Sequence, residues 1–85
     1  MPEICRFLGI VIYMLYGDHQ PPHFHASYGE YNLSVGINTG VVEGRFPRRA
    51  LSALMDWHEI FKDQLMEDWL LSEEHQPLNK IPPLE

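Results

Sequence analysis

The sequence contains one cysteine, Cys5, and no apolar run long enough to cross a bilayer. A single cysteine excludes an intramolecular disulfide and a zinc site made of several cysteines. The longest apolar run, residues 10–16, is much shorter than the roughly 20 residues of a transmembrane helix. The first residues also lack the basic segment and apolar run of a secretory signal. We therefore expect a soluble, cytoplasmic protein in which Cys5 belongs to the core.

Basic residues are scarce as well. Lys and Arg number 6 against 12 Asp and Glu, which gives a formal net charge of −6. This charge disfavours a general attraction to nucleic acid, although a local basic patch can act against the average. The 85 residues are 45% hydrophobic, which is typical of a folded domain. We expect one domain over residues 1–85, with a core so small that forming a homodimer would add stability.

The order of the apolar patterns predicts an α+β fold. Strands are expected from about residue 4 to 46, and Gly9 separates the first of them from residues 10–16. The segment 10–16 is apolar on both faces, so we expect both of its faces to be covered. The prediction is an antiparallel sheet of four to five short strands. A C-terminal helical pair follows it and packs on one face of the sheet.

The helices are expected at about residues 48–74, because apolar residues there recur at helical spacing. Asp63 is a candidate N-cap for a second helix, and one long helix is the alternative. The tail, residues 75–85, is expected to be extended and to cross the domain on its apolar side chains. The helices should cover one set of strand residues, namely Phe24, Tyr28, Tyr31, Leu33, Val35 and Ile37. The helical residues expected in the core are Leu65, Met66, Trp69 and Leu70.

The segment 28–31, Tyr-Gly-Glu-Tyr, predicts a hairpin with a two-residue turn. The register that follows from this turn places Tyr28 opposite Tyr31 on the apolar face. It places His25 opposite Ser34 on the polar face. His23 then lies opposite Gly36, which has no side chain and is expected to leave space for a ligand.

Three histidines occur within seven consecutive positions, in the segment Asp-His-Gln-Pro-Pro-His-Phe-His at residues 18–25. The two prolines stiffen the connection between them. His23 and His25 share one strand face with their Cα atoms roughly 7 Å apart, close enough for both imidazoles to bind one ion. The two prolines bring His19 back toward this face, so His19 is a candidate third ligand of a divalent metal. Asp18 is a candidate fourth ligand or an outer partner of a ligand.

A second hypothesis requires no metal. His23 and His25 are candidate catalytic residues, because imidazole acts as a general acid or base near neutral pH. A strand histidine followed by a hairpin and a helix resembles the layout of small toxin ribonucleases, so RNA is a candidate ligand, although the overall acidity of the chain disfavours it. The predicted surface for a ligand or partner combines arginines that can contact phosphate with small polar positions of the hairpin. It comprises Arg6, Arg45, Arg48, Arg49, Ser34 and Gly36.

Several segments resemble a bacterial family called domain of unknown function 4160. They are residues 1–7, 18–25, 28–31, 39–40, 47–51 and 77–81, with Pro-Pro-His-Phe-His as the most specific motif. The resemblance implies a short prokaryotic protein, often encoded beside another small domain of unknown function, as in toxin–antitoxin pairs. It assigns no catalytic residue.

From the sequence alone, the leading hypothesis is a non-enzymatic interaction module with a small protein partner encoded nearby. A histidine-based ribonuclease-type toxin and a small metal-dependent enzyme are the alternatives. The sequence does not favour a cofactor, because no complete metal shell and no clear nucleophile accompany the histidines.

Overall fold

The computed structural model describes residues 2–85. Five strands form one antiparallel sheet in the order β1-β2-β3-β4-β5, and two helices follow. The predicted α+β fold is confirmed. The strands are β1 (Glu3–Phe7), β2 (Ile10–Tyr13), β3 (His23–Tyr28), β4 (Tyr31–Gly36) and β5 (Val42–Gly44), and the helices are α1 (Arg48–Ile60) and α2 (Lys62–Glu73).

Tight turns set the strand pairing. Leu8 and Gly9 both have positive φ, at 51° and 80°, as a type I′ hairpin turn requires, so the break at Gly9 is a reversal of the chain. Gly29, with a φ of 58°, occupies the first central position of the β3–β4 turn. The predicted register is confirmed, with Tyr28 opposite Tyr31, His25 opposite Ser34 and His23 opposite Gly36.

The core lies between one face of the sheet and the two helices. Trp57 of α1 is fully buried, and its ring centroid is 5.8 Å from those of Phe7 and Phe24. Trp69 of α2 is also buried, as is Cys5 in β1. The predicted core positions that the structure buries are Phe24, Leu33, Val35, Ile37, Leu65 and Trp69.

Two predicted core residues are exposed instead. Tyr31 is 44% exposed, because it lies beside the hairpin turn, where Phe46 packs on its neighbour Tyr28. Leu70 is 54% exposed, because the buried face of α2 is set by Leu65 and Trp69, and Leu70 lies about 100° around the helix from Trp69.

The prediction that residues 10–16 are covered on both faces is wrong. β2 ends at Tyr13 and follows a one-sided pattern, with Ile10 and Ile12 buried and Val11 and Tyr13 half-buried. Leu15 and Tyr16, after the strand, are 38% and 40% exposed. The helices cover only one face of the sheet, so alternate side chains of β2 remain accessible to solvent.

The helical segment consists of two helices separated by Phe61, whose φ of −109° and ψ of 24° lie outside the helical range. Asp63 does not cap the second helix. The N-cap of α2 is Phe61, and Asp63 is the second residue of the helix. In the part of the chain that the structure describes, neither helix has the length and apolar character needed to cross a membrane.

The tail, residues 75–85, contains no helix or strand and runs from α2 to contacts with β1 and α1. Ile81 is buried, and its amide N–H donates to the carbonyl oxygen of Ile4 at 2.9 Å. The indole N–H of Trp57 donates to the carbonyl oxygen of Pro82 at 2.8 Å. Leu78 and Leu84 pack against the core. The tail is therefore anchored both to β1 and to α1.

Candidate functional site

The sheet face that the helices leave uncovered carries a pocket of about 280 Å³. Its base follows one row of paired residues across three strands, with His25 opposite Ser34 and Ser34 opposite Glu43. Tyr13 of β2 lies opposite His25 in the same row, outside the lining. The loop before β3 and the turn between β4 and β5 form the walls. The lining residues are His19, Pro21, His23, His25, Ser34, Gly36, Thr39, Val41 and Glu43.

Asp18 links the two strand histidines at one end of this pocket. Its Oδ2 atom lies 3.0 Å from Nε2 of His23 and 2.9 Å from Nε2 of His25. Its Oδ1 atom accepts a hydrogen bond of 2.8 Å from the backbone N–H of His19. The three potential ligand atoms of Asp18, His23 and His25 all lie within 4.8 Å of one another. We refer to these three residues as the Asp18 cluster.

The imidazole of His23 is held on both sides. Its Nδ1 atom lies 2.8 Å from the carbonyl oxygen of Pro21, which can only accept, so Nδ1 carries a proton. The ring packs against Trp69 with centroids 5.2 Å apart, and the residue is buried. In the neutral ring, the Nε2 lone pair then points at the Asp18 carboxylate. The lone pair and the carboxylate repel each other. A second proton on the ring, or a cation beside Nε2, removes this repulsion.

The carboxyl group of Asp18 is poised to remain ionised. Partial burial by itself raises its pKa, but hydrogen bonds from His25 and the His19 amide, together with the charge of His23, outweigh burial and leave the pKa below its usual value. The cluster therefore contains a carboxylate at neutral pH.

The other two histidines of the motif differ in environment. His25 is half-buried, and its ring stacks on Tyr13 with centroids 5.2 Å apart and an interplanar angle of 13°. The side chain of His19 is 81% exposed, and its Nε2 atom is 3.7 Å from Oδ1 of Asp18. The structure thus groups His23 and His25 with Asp18 and leaves His19 at the pocket rim.

Gly36 does not leave an empty space across from His23, which differs from the expectation. A Cβ atom at Gly36 would overlap Oγ1 of Thr39, so the Thr39 side chain occupies that position. The same hydroxyl accepts a hydrogen bond of 3.2 Å from the backbone N–H of Val41. The cause is the turn at residues 37–41, which folds back over the end of β4.

The predicted arginines do not gather at the pocket. Arg6 pairs with Glu3 at 2.8 Å on β1, at the far edge of the sheet from β5. Arg45, Arg48 and Arg49 are exposed and lie outside the lining. Of the predicted surface, Ser34 and Gly36 line the pocket.

Sequence reasoning missed several residues of the pocket. Glu43 was accessible to it, because extending the register from β4 to the next strand places Glu43 in the row of His25. Pro21, Thr39 and Val41 lie in loops, where the two-residue alternation of strands gives no signal.

The family comparison covers this whole region. A sequence model described as "Domain of unknown function (DUF4160)" matches residues 9–70. The chain belongs to this family. Every residue that lines the pocket of this DUF4160 protein lies within the matched segment, as does Asp18. No curated protein and no solved structure matches the chain.

Proposed function

We propose that this DUF4160 protein binds a divalent transition-metal ion through Asp18, His23 and His25, and that the adjoining pocket holds a small ligand of that ion. The single observation that carries the proposal is the orientation of His23. Its Nδ1–H donates to the Pro21 carbonyl, which directs the Nε2 lone pair at the carboxylate oxygen that His25 also faces. Histidine ligands of metals are oriented by the same kind of outer hydrogen bond.

The spacing of the donor atoms supports this proposal. Two atoms bound about 2.1 Å from an ion and at right angles to each other lie about 3.0 Å apart. The two imidazole nitrogens lie 3.0 Å and 2.9 Å from Oδ2 of Asp18. Small adjustments of these side chains would admit the ion between them.

The chemistry of the donor set indicates which ions fit. Two imidazoles and one carboxylate suit zinc, iron, nickel or manganese rather than calcium or magnesium, which prefer oxygen ligands alone. Three protein ligands leave coordination positions open, as in catalytic sites. His23 and His25 line the pocket, so an open position would face the cavity.

The same contacts favour a second candidate function, general acid–base catalysis. His25 lines the pocket and its Nε2 atom lies 2.9 Å from Oδ2 of Asp18, so the carboxylate can orient this imidazole for proton exchange with a substrate. A ribonuclease-type toxin would use such a pair. The absence of any Lys or Arg from the lining of the pocket makes it a poor site for phosphate, so we rank this candidate second.

Partner binding is a separate proposal. A small protein encoded nearby, as in toxin–antitoxin pairs, or a second copy of the chain would cover exposed apolar side chains such as Leu15 and Leu70. A pull-down analysed for both protein and RNA tests the first. Sedimentation tests the second, because a species of 9.9 kDa alone at high micromolar concentration would exclude a homodimer.

The metal proposal is tested on protein purified without a histidine tag and stripped with a chelator. We expect Zn²⁺ and Ni²⁺ to bind with a Kd of about 1 μM or below and to raise the Tm. Binding should weaken below about pH 6, because a protonated imidazole cannot bind a metal.

The Asp18→Asn variant should lose most of this affinity. His75→Ala is the matched control, because His75 is exposed and stacks on Tyr16, outside the pocket. Equal affinity in wild type and Asp18→Asn would contradict the proposed site.

A further inference from the structure

The pocket beside the Asp18 cluster has a chemical character of its own. It contains no Lys or Arg, and Glu43 is its one acidic lining residue. Glu43 forms no ion pair with any of residues 2–85. At the Glu43 end of the pocket, a carboxylate or phosphate group would meet this charge with no lysine or arginine in the lining to offset it.

The distance between the cluster and Glu43 sets the length of a ligand. His25, Ser34 and Glu43 are direct neighbours on three successive strands. Adjacent strands lie about 4.8 Å apart, so the backbone positions of His25 and Glu43 are about 10 Å apart. Ser34 between them is small and leaves the path across β4 open.

The walls along this path are suited to a hydrocarbon chain. Pro21 and Val41 supply apolar surface, and the hydroxyl groups of Ser34 and Thr39 supply polar atoms between the two ends. Arg45 follows Glu43 by two residues but does not line the pocket. Glu43 is therefore the charged carboxylate of the lining that the far end of a ligand contacts.

From these observations we infer that the ligand of this pocket is a small primary amine, with a metal-binding group at the Asp18 cluster and its ammonium group beside Glu43. This inference rests on the proposed metal site and specifies what that site accepts. It disfavours ligands whose far end, beside Glu43, carries a carboxylate or phosphate group.

The test uses full-length protein loaded with Zn²⁺ and three hydroxamates that share the zinc-binding head and chain length. They are 6-aminohexanohydroxamic acid, hexanohydroxamic acid and adipic acid monohydroxamate, which end in an ammonium, a methyl and a carboxylate group. Zinc affinity is measured first in every variant, so that the hydroxamates are compared only on loaded protein.

We expect the amine to bind about threefold tighter than the methyl compound, and the carboxylate about threefold weaker, as for one exposed charge pair. Glu43→Gln should remove the difference, and Glu43→Lys should reverse the order. Glu30→Gln is the control, because Glu30 is an exposed residue of the β3–β4 turn outside the pocket.

Two results would overturn the inference, and they are distinguishable. Equal affinities for the three hydroxamates, or an order that Glu43→Gln does not alter, would refute the amine ligand and leave the metal site standing. Failure of Zn²⁺ to bind to the wild-type protein would refute both.

Discussion

The Nδ1 atom of His23 lies 2.8 Å from the carbonyl oxygen of Pro21. The loop that carries the two prolines therefore does more than stiffen the chain, because its backbone selects the tautomer of a histidine two residues later. A proton held on Nδ1 leaves Nε2 as the reactive nitrogen, directed at Asp18. The order of residues in the motif thus has a direct chemical consequence.

The first prediction concerns this tautomer. In ¹⁵N-labelled protein, Nδ1 of His23 should carry a proton both before and after addition of Zn²⁺, because the Pro21 carbonyl can only accept a hydrogen bond. The ¹⁵N shift of Nε2 should change when zinc is added. A histidine NMR spectrum showing Nδ1 of His23 bound to zinc would contradict the geometry described above.

The second prediction separates His19 from His25. His25→Ala should weaken Zn²⁺ binding by at least about 100-fold, because it removes a direct ligand, whereas removing an outer partner typically costs 10–100-fold. His19→Ala should change the affinity little, because His19 is exposed and its ring is farther from Asp18. Isothermal titration of both variants measures the difference, and the larger loss in His19→Ala would identify His19 as a ligand.

The third prediction concerns Asp18 in metal-free protein. Its pKa is lowered on folding, so its contribution to stability is present above the unfolded-state pKa of about 3.9 and disappears as the pH falls through the lower folded-state pKa. Asp18→Asn should lower the free energy of unfolding by about 1–3 kcal/mol at pH 7.

The stability difference between wild type and Asp18→Asn should shrink in acid, which urea unfolding between pH 2 and 7 measures. Asp56→Asn, which changes an exposed carboxyl group on α1, is the control. A difference that stays constant over this range would show that the charge of Asp18 does not contribute.

The fourth prediction has the opposite sign and concerns Asp68 in α2. Burial raises the pKa of this carboxyl, which is fully inaccessible and has one oxygen atom, Oδ2, without a hydrogen-bond partner among residues 2–85. Asp68 therefore binds a proton more readily in the folded protein than in the unfolded chain. Its ionised form lowers the free energy of unfolding, and this loss grows as the pH rises through the folded-state pKa.

Asp68→Asn should accordingly become more stable relative to wild type as the pH rises from 4 to 8 in urea unfolding. In the wild type, the backbone N–H of Asn79 donates to Oδ1 of Asp68 at 2.9 Å. The side-chain oxygen in Asp68→Asn can still accept this hydrogen bond. A relative stability that falls with increasing pH would contradict the assigned direction of the pKa shift.

The fifth prediction tests the contact between Gly36 and Thr39. Gly36→Ala should destabilise the fold by about 1–3 kcal/mol, because its Cβ overlaps the Thr39 side chain in a tight turn. The double variant with Thr39→Ala should recover much of that loss. A double-mutant cycle measures the coupling, and strictly additive effects would exclude the contact.

Strand register was predictable because a two-residue turn with glycine at its first position fixes the pairing of both strands. That register placed His23 and His25 on one face and Phe24 on the other, as the structure shows. Helical spacing likewise identified Trp69 as a core residue. These features depend on local turn geometry and on residue periodicity.

The approach of Asp18 to the two histidines was not predictable in the same way. It depends on the path of a loop, on the hydrogen bond from the His19 amide to Oδ1 and on the packing of His23 against Trp69. None of these contacts produces a periodic pattern in the sequence. The exposure of Tyr31 was missed for a related reason, because periodicity assigns a face but not how far the opposing layer extends.

The attachment of the tail to β1 has a consequence for aggregation. The amide of Ile81 and the ammonium group of Lys80 donate to the carbonyl oxygens of Ile4 and Glu3, and thereby occupy acceptors on the outer edge of the sheet. At the other end, β5 is only three residues long. Edge strands that are short or covered resist the addition of further strands, so the sheet is a poor template for fibril growth from either end.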